Sequence, residues 1–83
     1  MSTLDEAALR ALLVLALAGD SAAYAAFLRH ASARLRGYFR RRASAFLDDV
    51  EDLVQETMLA IHNQRHSYRS DQPLTVWLYA IAG

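Results

Sequence analysis

The chain of 83 residues has no cysteine, only one proline and only three glycines. Without cysteine it can form neither a disulfide framework nor a thiolate metal site, and it fits a reducing, cytoplasmic setting. The scarcity of proline and glycine, together with an apolar content of 54%, favours a folded, helix-rich protein over a disordered one. A chain of this length forms one domain with one modest core.

The sequence also lacks a hydrophobic run long enough to cross a bilayer. The apolar segment at residues 11–18 is much shorter than the ~20 residues that a membrane-spanning helix needs. A signal peptide is excluded because Asp5 and Glu6 stand where such a peptide carries positive charge. We therefore expect no membrane insertion.

Neither sign of charge is in excess, because nine arginines balance nine aspartates and glutamates. The charges are nevertheless segregated along the chain. Residues 29–42 contain arginines and no acid, whereas residues 48–56 contain acids and no base. Such blocks indicate contacts with two partners, contacts with each other, or solvated faces that partly neutralise one another.

Apolar residues recur at three- and four-residue spacing, which predicts an all-α fold, a compact bundle of three to four helices. The predicted helices cover about residues 4–18, 20–42, 49–64 and 73–82. Thr3 and Glu6 have the spacing of a capping box that begins the first helix. Gly19 is suited to end this helix, and Asp20 to cap the second.

The second helix has one continuous apolar stripe with arginines on the other side. The stripe consists of Tyr24, Phe27, Leu28, Ala31, Leu35, Tyr38 and Phe39. Gly37 interrupts the helix-forming residues at a cost of about 1 kcal/mol relative to alanine, which this much packing tolerates.

The third helix, opened by Asp48 or Asp49, has two distinct faces. At 100° per residue its buried face comprises Val50, Leu53, Val54, Thr57, Met58 and Ile61. The opposite face comprises Asp52, Gln55, Glu56, Leu59 and Asn63. A solvated face does not need the leucine at its centre, so this surface is a candidate interface, although single exposed leucines are common.

The polar segment at residues 64–72 reads as a loop, and Pro73 suits the first turn of the fourth helix. Arg65 and Arg69 can neutralise phosphates. Tyr68, Trp77 and Tyr79 can offer rings on which unpaired bases stack. The alternative for Trp77 is that it fills the core against Phe39 and Met58.

Catalysis and metal binding have little support in the sequence. It contains no cysteine, no glycine-rich phosphate loop and no credible Ser-His-acid arrangement, so we expect no enzyme and no cofactor. His62 and His66 are four residues apart, but a zinc site needs further ligands and His30 lies in another helix. The acids at residues 48–52 lack the spacing of a calcium loop. No metal site is expected.

The order of these features resembles region 2 of extracytoplasmic-function (ECF) sigma factors. Residues 49–82, DVEDLVQETMLAIHNQRHSYRSDQPLTVWLYAIA, closely resemble regions 2.2 and 2.3 of that family. Residues 15–42, LALAGDSAAYAAFLRHASARLRGYFRRR, resemble region 2.1. The pairing of DLVQE with the later P-L-x-x-W-L-Y-x-I-A pattern is specific, whereas either half alone is only suggestive.

The resemblance implies a sigma factor that acts in transcription initiation with RNA polymerase core and promoter DNA. In the family, the DLVQE helix docks on the clamp helices of the polymerase β′ subunit, a role that transfers to Asp52, Gln55, Glu56, Leu59 and Asn63. The loop before the WLY helix captures a flipped base of the −10 element non-template strand. This DNA-binding role transfers to Arg65, His66, Tyr68, Arg69, Gln72, Trp77 and Tyr79.

The resemblance also implies an anti-sigma factor as a regulatory partner. The family usually continues from I-A into region 2.4, whereas this sequence reads Ala82-Gly83. We therefore interpret residues 1–83 as sigma factor region 2 truncated before region 2.4, and the lack of a region 1 before Leu4 fits the ECF type.

Two alternatives stay open. The chain can be a protein-interaction bundle that binds a regulator or itself through its first and fourth helices, or a double-strand DNA binder using residues 29–42.

Overall fold

The computed structural model describes residues 5–42 and 47–83, apart from the side chains of residues 47 and 48. Four α-helices follow one another along the chain: α1 (Glu6–Leu17), α2 (Ser21–Arg42), α3 (Leu47–Gln64) and α4 (Leu74–Ala82). A 3-10 turn at Arg65–Ser67 follows α3 directly. No strand occurs in the described ranges, so the predicted all-α bundle is confirmed.

The start of α1 differs from the predicted capping box. The carboxylate of Asp5 accepts a hydrogen bond from the Ala8 amide at 2.8 Å, so Asp5 is the N-cap residue. Thr3 lies outside the described residues. The carboxylate of Glu6 does not turn back on its own helix, because it binds the start of α4 instead.

Gly19 and Asp20 make the turn between α1 and α2 as predicted. The Asp20 amide donates to the Leu15 carbonyl at 3.1 Å and the Gly19 amide donates to the Ala16 carbonyl at 3.0 Å. These are the two hydrogen bonds of a Schellman motif, which requires a left-handed residue, and Gly19 has φ of 111°. The Asp20 carboxylate then accepts from the Ala23 amide at 3.0 Å and caps α2.

One hydrophobic core joins the four helices and the loop before α4. Its buried members are Leu9, Leu13, Phe27, Ala31, Leu35, Phe39, Val50, Val54, Ile61, Tyr68, Leu74, Trp77 and Leu78. The predicted stripe of α2 supplies four of these residues, and Tyr24, Leu28 and Tyr38 are half-buried beside them. Gly37 lies within helical backbone.

Helix α3 buries most of the face that periodicity predicts. Leu53 is the exception, with 36% of its surface exposed, because it lies about 70° from the centre of the buried stripe. The proposed cap is also wrong, since Asp48 and Asp49 both lie within the helical backbone of Leu47–Gln64.

Helix α4 begins without a side-chain cap of its own. Pro73 is its N-cap residue and not part of its first turn, and it supplies no hydrogen bond. Glu6 of α1 takes this role, since its Oε2 accepts from the Leu74 amide at 2.6 Å and its Oε1 accepts from the Thr75 amide at 2.7 Å. The first helix thus caps the last one.

Within the ranges that the structure describes, no helix is both long and apolar enough to span a membrane.

Candidate functional site

The outer face of α3 is an exposed surface of carboxylates and amides around one leucine. We call it the α3 surface and define it as Asp52, Gln55, Glu56, Leu59 and Asn63, all of which are exposed. Leu59 is 65% exposed, the largest exposed fraction among the large apolar side chains described. The surface extends about 16 Å along the helix at 1.5 Å per residue.

The side chains of the α3 surface make no hydrogen bond or ion pair with the rest of the described chain. Their oxygens and amide groups are therefore available to a partner. Leu53 borders this surface and adds a second partly exposed apolar group that periodicity assigned to the core. The arrangement can accept charge-assisted hydrogen bonds from arginines around an apolar contact.

A bidentate pair between Arg36 of α2 and Glu51 holds the neighbouring edge of α3. Arg36 Nε and Nη2 donate to the two carboxylate oxygens of Glu51, and both side chains are partly exposed. The hydrogen bond to Arg36 lowers the pKa of Glu51, and the same bond raises the pKa of Arg36. The basic and acidic blocks of the sequence thus meet directly at this pair, which links α3 to α2.

Two arginines of the loop before α4 differ in how firmly they are held. Nη1 of Arg65 donates to the His62 carbonyl at 2.7 Å, and its guanidinium carbon lies 6.0 Å from the centre of the Tyr24 ring. Arg69 is exposed and forms only a solvated pair with Asp71 at 3.7 Å. Both guanidinium groups can reach a phosphate, Arg65 while held by the His62 carbonyl and Arg69 from an exposed side chain.

The aromatic residues of this region are not open stacking faces. Tyr68 and Trp77 are each only 7% exposed, and their rings pack edge to face with centres 5.4 Å apart. This differs from the expectation that both rings offer free faces to bases. It agrees with the alternative that Trp77 fills the core, where its described ring partner is Tyr68.

Hydrogen bonds from the same two rings shape the loop. The Tyr68 hydroxyl donates to the Gln72 carbonyl at 2.8 Å, and Trp77 Nε1 donates to Ser67 Oγ at 3.0 Å. Ser67 Oγ in turn donates to the Gln64 carbonyl at 2.7 Å. The two buried rings therefore hold the loop in place by hydrogen bonds from its inner side. Arg69 and His66 are exposed at the loop surface, and Gln72 is half-buried there.

Tyr79 lies in the second half of α4, half-buried against Tyr38 of α2. The two ring centres are 4.7 Å apart, and the guanidinium of Arg42 lies 4.6 Å from the Tyr38 ring centre. Tyr79 is five positions after Leu74, the first residue of α4, which places it about 7.5 Å along the helix axis from the end of the loop.

A shallow cleft of about 320 Å³ lies between the α1–α2 turn and the 3-10 turn. Its lining consists of Ala16, Leu17, Gly19, Ser21, Tyr24, Arg65 and His66. The sequence assigned Tyr24 to the apolar stripe of α2 and not to a site, but its hydroxyl forms a hydrogen bond of 2.8 Å with His62 Nδ1. No sequence signal links these two residues because they are 38 positions apart.

His62 and His66 do not belong to a metal cluster within the described part of the chain. No group of three or more potential ligands from His, Cys, Asp and Glu occurs there. His62 is engaged instead by Tyr24 and Arg65.

Comparison with known proteins gives two matches. The family model described as Sigma-70 region 2 matches residues 23–83. The chain is also similar to the ECF RNA polymerase sigma factor SigF of Caulobacter vibrioides (strain NA1000 / CB15N), with 49% identity over 77 residues. That alignment covers 93% of the chain and 43% of the relative, so the chain spans less than half the relative's length. No solved structure matches the chain.

Proposed function

This chain belongs to the Sigma-70 region 2 family, as its resemblance to ECF sigma factors predicted, and we propose that it serves transcription initiation as the polymerase-docking and −10-binding part of an ECF sigma factor. Sigma factors are initiation factors and not enzymes. The proposal includes a cytoplasmic location, because RNA polymerase and the promoter are there.

The α3 surface is the observation that carries the docking half of this proposal. It is assigned to the clamp helices of the polymerase β′ subunit, with Gln55 and Glu56 as acceptors for clamp arginines and Leu59 as the central apolar contact. Two features support this. All five side chains are exposed and have no partner in the described chain, and the Arg36–Glu51 pair holds their helix against α2.

The −10 half of the proposal rests on the loop before α4. Arg65 and Arg69 would hold phosphates of the non-template strand, with His66 and Gln72 at the loop surface available to a base. Tyr68, Trp77 and Tyr79 keep their assignment to DNA binding, with the first two acting as the inner wall that sets the loop's shape. Base flipping costs a few kcal/mol, which a pocket that fits the flipped base can offset.

The docking assignment is tested with the double variant Gln55→Ala/Glu56→Ala and an isolated β′ clamp fragment. We expect binding to be abolished while the helical circular dichroism is unchanged, because both side chains are exposed. Gln64→Ala is the matched control, since it changes another exposed glutamine of α3 about 120° away from the centre of the α3 surface. Undiminished binding of the double variant would contradict the docking assignment.

A second candidate function is favoured by apolar groups outside the α3 surface. Val14 and Leu15 of α1 are 42% and 50% exposed, and Val76 of α4 is 60% exposed. These residues suit an interaction module that binds an anti-sigma factor or a second copy of the chain, and such binding can coexist with polymerase docking. Size-exclusion chromatography with light scattering separates the two: a tight homodimer that ignores the clamp fragment and single-stranded −10 DNA would favour the interaction module alone.

A further inference from the structure

The C-terminal end of α2 has three successive exposed arginines, Arg40, Arg41 and Arg42. We call them the arginine cluster. The ion pairs Arg36–Glu51 and Arg69–Asp71 do not involve this cluster. The charge of Arg40 interacts electrostatically with Glu51, but both carboxylate oxygens of Glu51 already accept hydrogen bonds from Arg36. The positive charge of the cluster is therefore largely uncompensated within the described chain.

The helix itself does not account for three arginines. A single cation in the last turn is enough to interact favourably with the helix dipole, and that effect is confined to the last turn. Two of the three guanidinium groups are instead placed by specific contacts. Arg42 lies over the Tyr38 ring, and Nη1 of Arg41 lies over Gly37, where a methyl group would be 3.3 Å from it. Gly37 leaves room for this position of Arg41.

The arginine cluster is linked to one residue that is proposed to bind DNA, Tyr79. Arg42 packs on Tyr38, and Tyr38 packs on Tyr79 in the second half of α4. The loop that holds Arg65 lies at the other end of the bundle, where Arg65 contacts Tyr24 at the start of α2. Tyr24 and Arg42 are 18 residues apart on one helix, which is about 27 Å, or roughly 8 base pairs of duplex DNA.

The chemistry at this end favours phosphates over bases. Tyr38 is contacted by Arg42, Phe39 and Tyr79, so it has no free ring face on which a base can stack. Exposed guanidinium groups without a stacking platform are suited to the sugar-phosphate backbone, which carries no sequence information. We infer that the arginine cluster binds the phosphate backbone of duplex DNA next to the melted −10 element, as a second site separate from the loop. This inference rests on the proposed function for the identity of the nucleic acid.

The test measures binding of the whole 83-residue chain to two fluorescent probes by anisotropy across about 50 to 200 mM salt. One probe is a short duplex of arbitrary sequence, and the other is a single strand of the same sequence. The variants are Arg40→Gln/Arg41→Gln/Arg42→Gln, the matched triple change to lysine, and Arg29→Gln, which removes another exposed arginine of α2. Circular dichroism melts verify that all variants are folded.

We expect the triple glutamine variant to flatten the slope of log K against log salt on the duplex by about 0.9 for each phosphate that is no longer neutralised, hence by roughly 2 to 3. The lysine variant should keep the slope, and Arg29→Gln should change it little. Single-strand binding should be much less affected. An unchanged duplex slope, or an equal reduction on both probes, would overturn the inference.

A further measurement separates this inference from the docking proposal. The triple glutamine variant should bind the β′ clamp fragment as the parent chain does, because the α3 surface is intact. If it no longer binds the clamp and keeps duplex binding, the cluster faces an acidic protein surface and the inference is wrong. The docking proposal is tested separately by the binding of Gln55→Ala/Glu56→Ala to the clamp fragment, because that variant leaves the arginine cluster unchanged.

Discussion

Replacing Glu6 should destabilise the whole bundle, although this residue lies at the other end of the chain from the helix that it caps. Its carboxylate accepts the Leu74 amide at 2.6 Å and the Thr75 amide at 2.7 Å, two of the four amides that a helix start leaves without an intrahelical partner. A hydrogen bond to a charged group contributes about 1.5–3 kcal/mol, and the interaction with the helix dipole is included in that figure.

The magnitude depends on what replaces the carboxylate. Glu6→Gln keeps one acceptor oxygen but removes the charge and one hydrogen bond, so we expect the free energy of unfolding to fall by about 1–2 kcal/mol. Glu6→Ala removes both hydrogen bonds, but the two amides are only partly buried and water replaces part of the loss, so the cost should be about 2–3 kcal/mol. For a domain of this size, 1 kcal/mol corresponds to roughly 4–8 °C in Tm, so the alanine variant should melt on the order of 10 °C lower.

Thermal and urea unfolding followed by far-UV circular dichroism measure this destabilisation. The matched control is Glu56→Gln, the same substitution at an exposed position without an intramolecular partner, which should stay within about 0.5 kcal/mol of the parent chain. The reasoning is refuted if Glu6→Gln is no less stable than Glu56→Gln.

The same capping interaction has a definite pH dependence. Burial of Glu6 opposes its ionisation, but the amide hydrogen bonds from Thr75 and Leu74, the Thr75 side chain and the charge of Arg10 outweigh it, so the pKa of Glu6 is lowered from 4.5. A carboxyl with a depressed folded pKa stabilises the fold fully above its unfolded pKa and loses this contribution as pH falls through the folded pKa. The stability gap between the parent chain and Glu6→Gln should therefore be full at neutral pH and shrink below about pH 4.

Two further predictions concern the turn glycine and the extent of the folding unit. Gly19→Ala should cost about 1–2 kcal/mol because its φ of 111° strains any residue with a Cβ, even though no atom lies within 4 Å of the added methyl group. Gly37→Ala should instead stabilise the helix by about 0.5–1 kcal/mol, since only the flexible end of Arg41 must shift. Urea titrations measure the change in the free energy of unfolding for both variants, and changes of the same sign would contradict this account. A chain shortened to residues 21–83 should fail to unfold cooperatively, because it lacks buried Leu9 and Leu13, each worth about 2–5 kcal/mol if truncated to alanine; a sharp melt near that of the parent chain would argue against it.

The helices and the turn between α1 and α2 could be predicted from the sequence because the signals that specify them are local. The stripe of α2 depends on spacing of three and four residues, and Gly19 and Asp20 act on residues within one turn. The α3 surface followed from the same periodicity, since the face opposite a buried stripe is necessarily exposed. The assignment of Leu53 to the core was wrong because it lies at the edge of the stripe, where helical geometry alone does not decide burial.

Contacts between distant segments could not be predicted in this way. A carboxylate three residues after Thr3 has the pattern of a capping box, and nothing local indicates that Glu6 would reach an amide 68 positions away. The same holds for the Arg36–Glu51 pair, because segregated charge left a contact between the blocks as one of three interpretations and did not specify which residues would make it. The burial of Tyr68 was missed because the residues around it are polar, and its hydroxyl is satisfied only by the carbonyl of Gln72.

The geometry of the proposed DNA-binding loop depends on a helix that contributes no residue to it. The Sigma-70 region 2 match begins at residue 23, after α1 has ended, yet Glu6 of α1 holds the first amides of α4. Helix α4 carries Trp77, whose ring packs on Tyr68 and whose indole N–H binds Ser67 within the loop. A displacement of the start of α4 should therefore also move Trp77 and, through it, Tyr68 and Ser67 of the loop. Since α1 also buries Leu9 and Leu13 in the common core, it belongs to the same folding unit as the matched segment, and changes in α1 should alter DNA binding without touching the DNA.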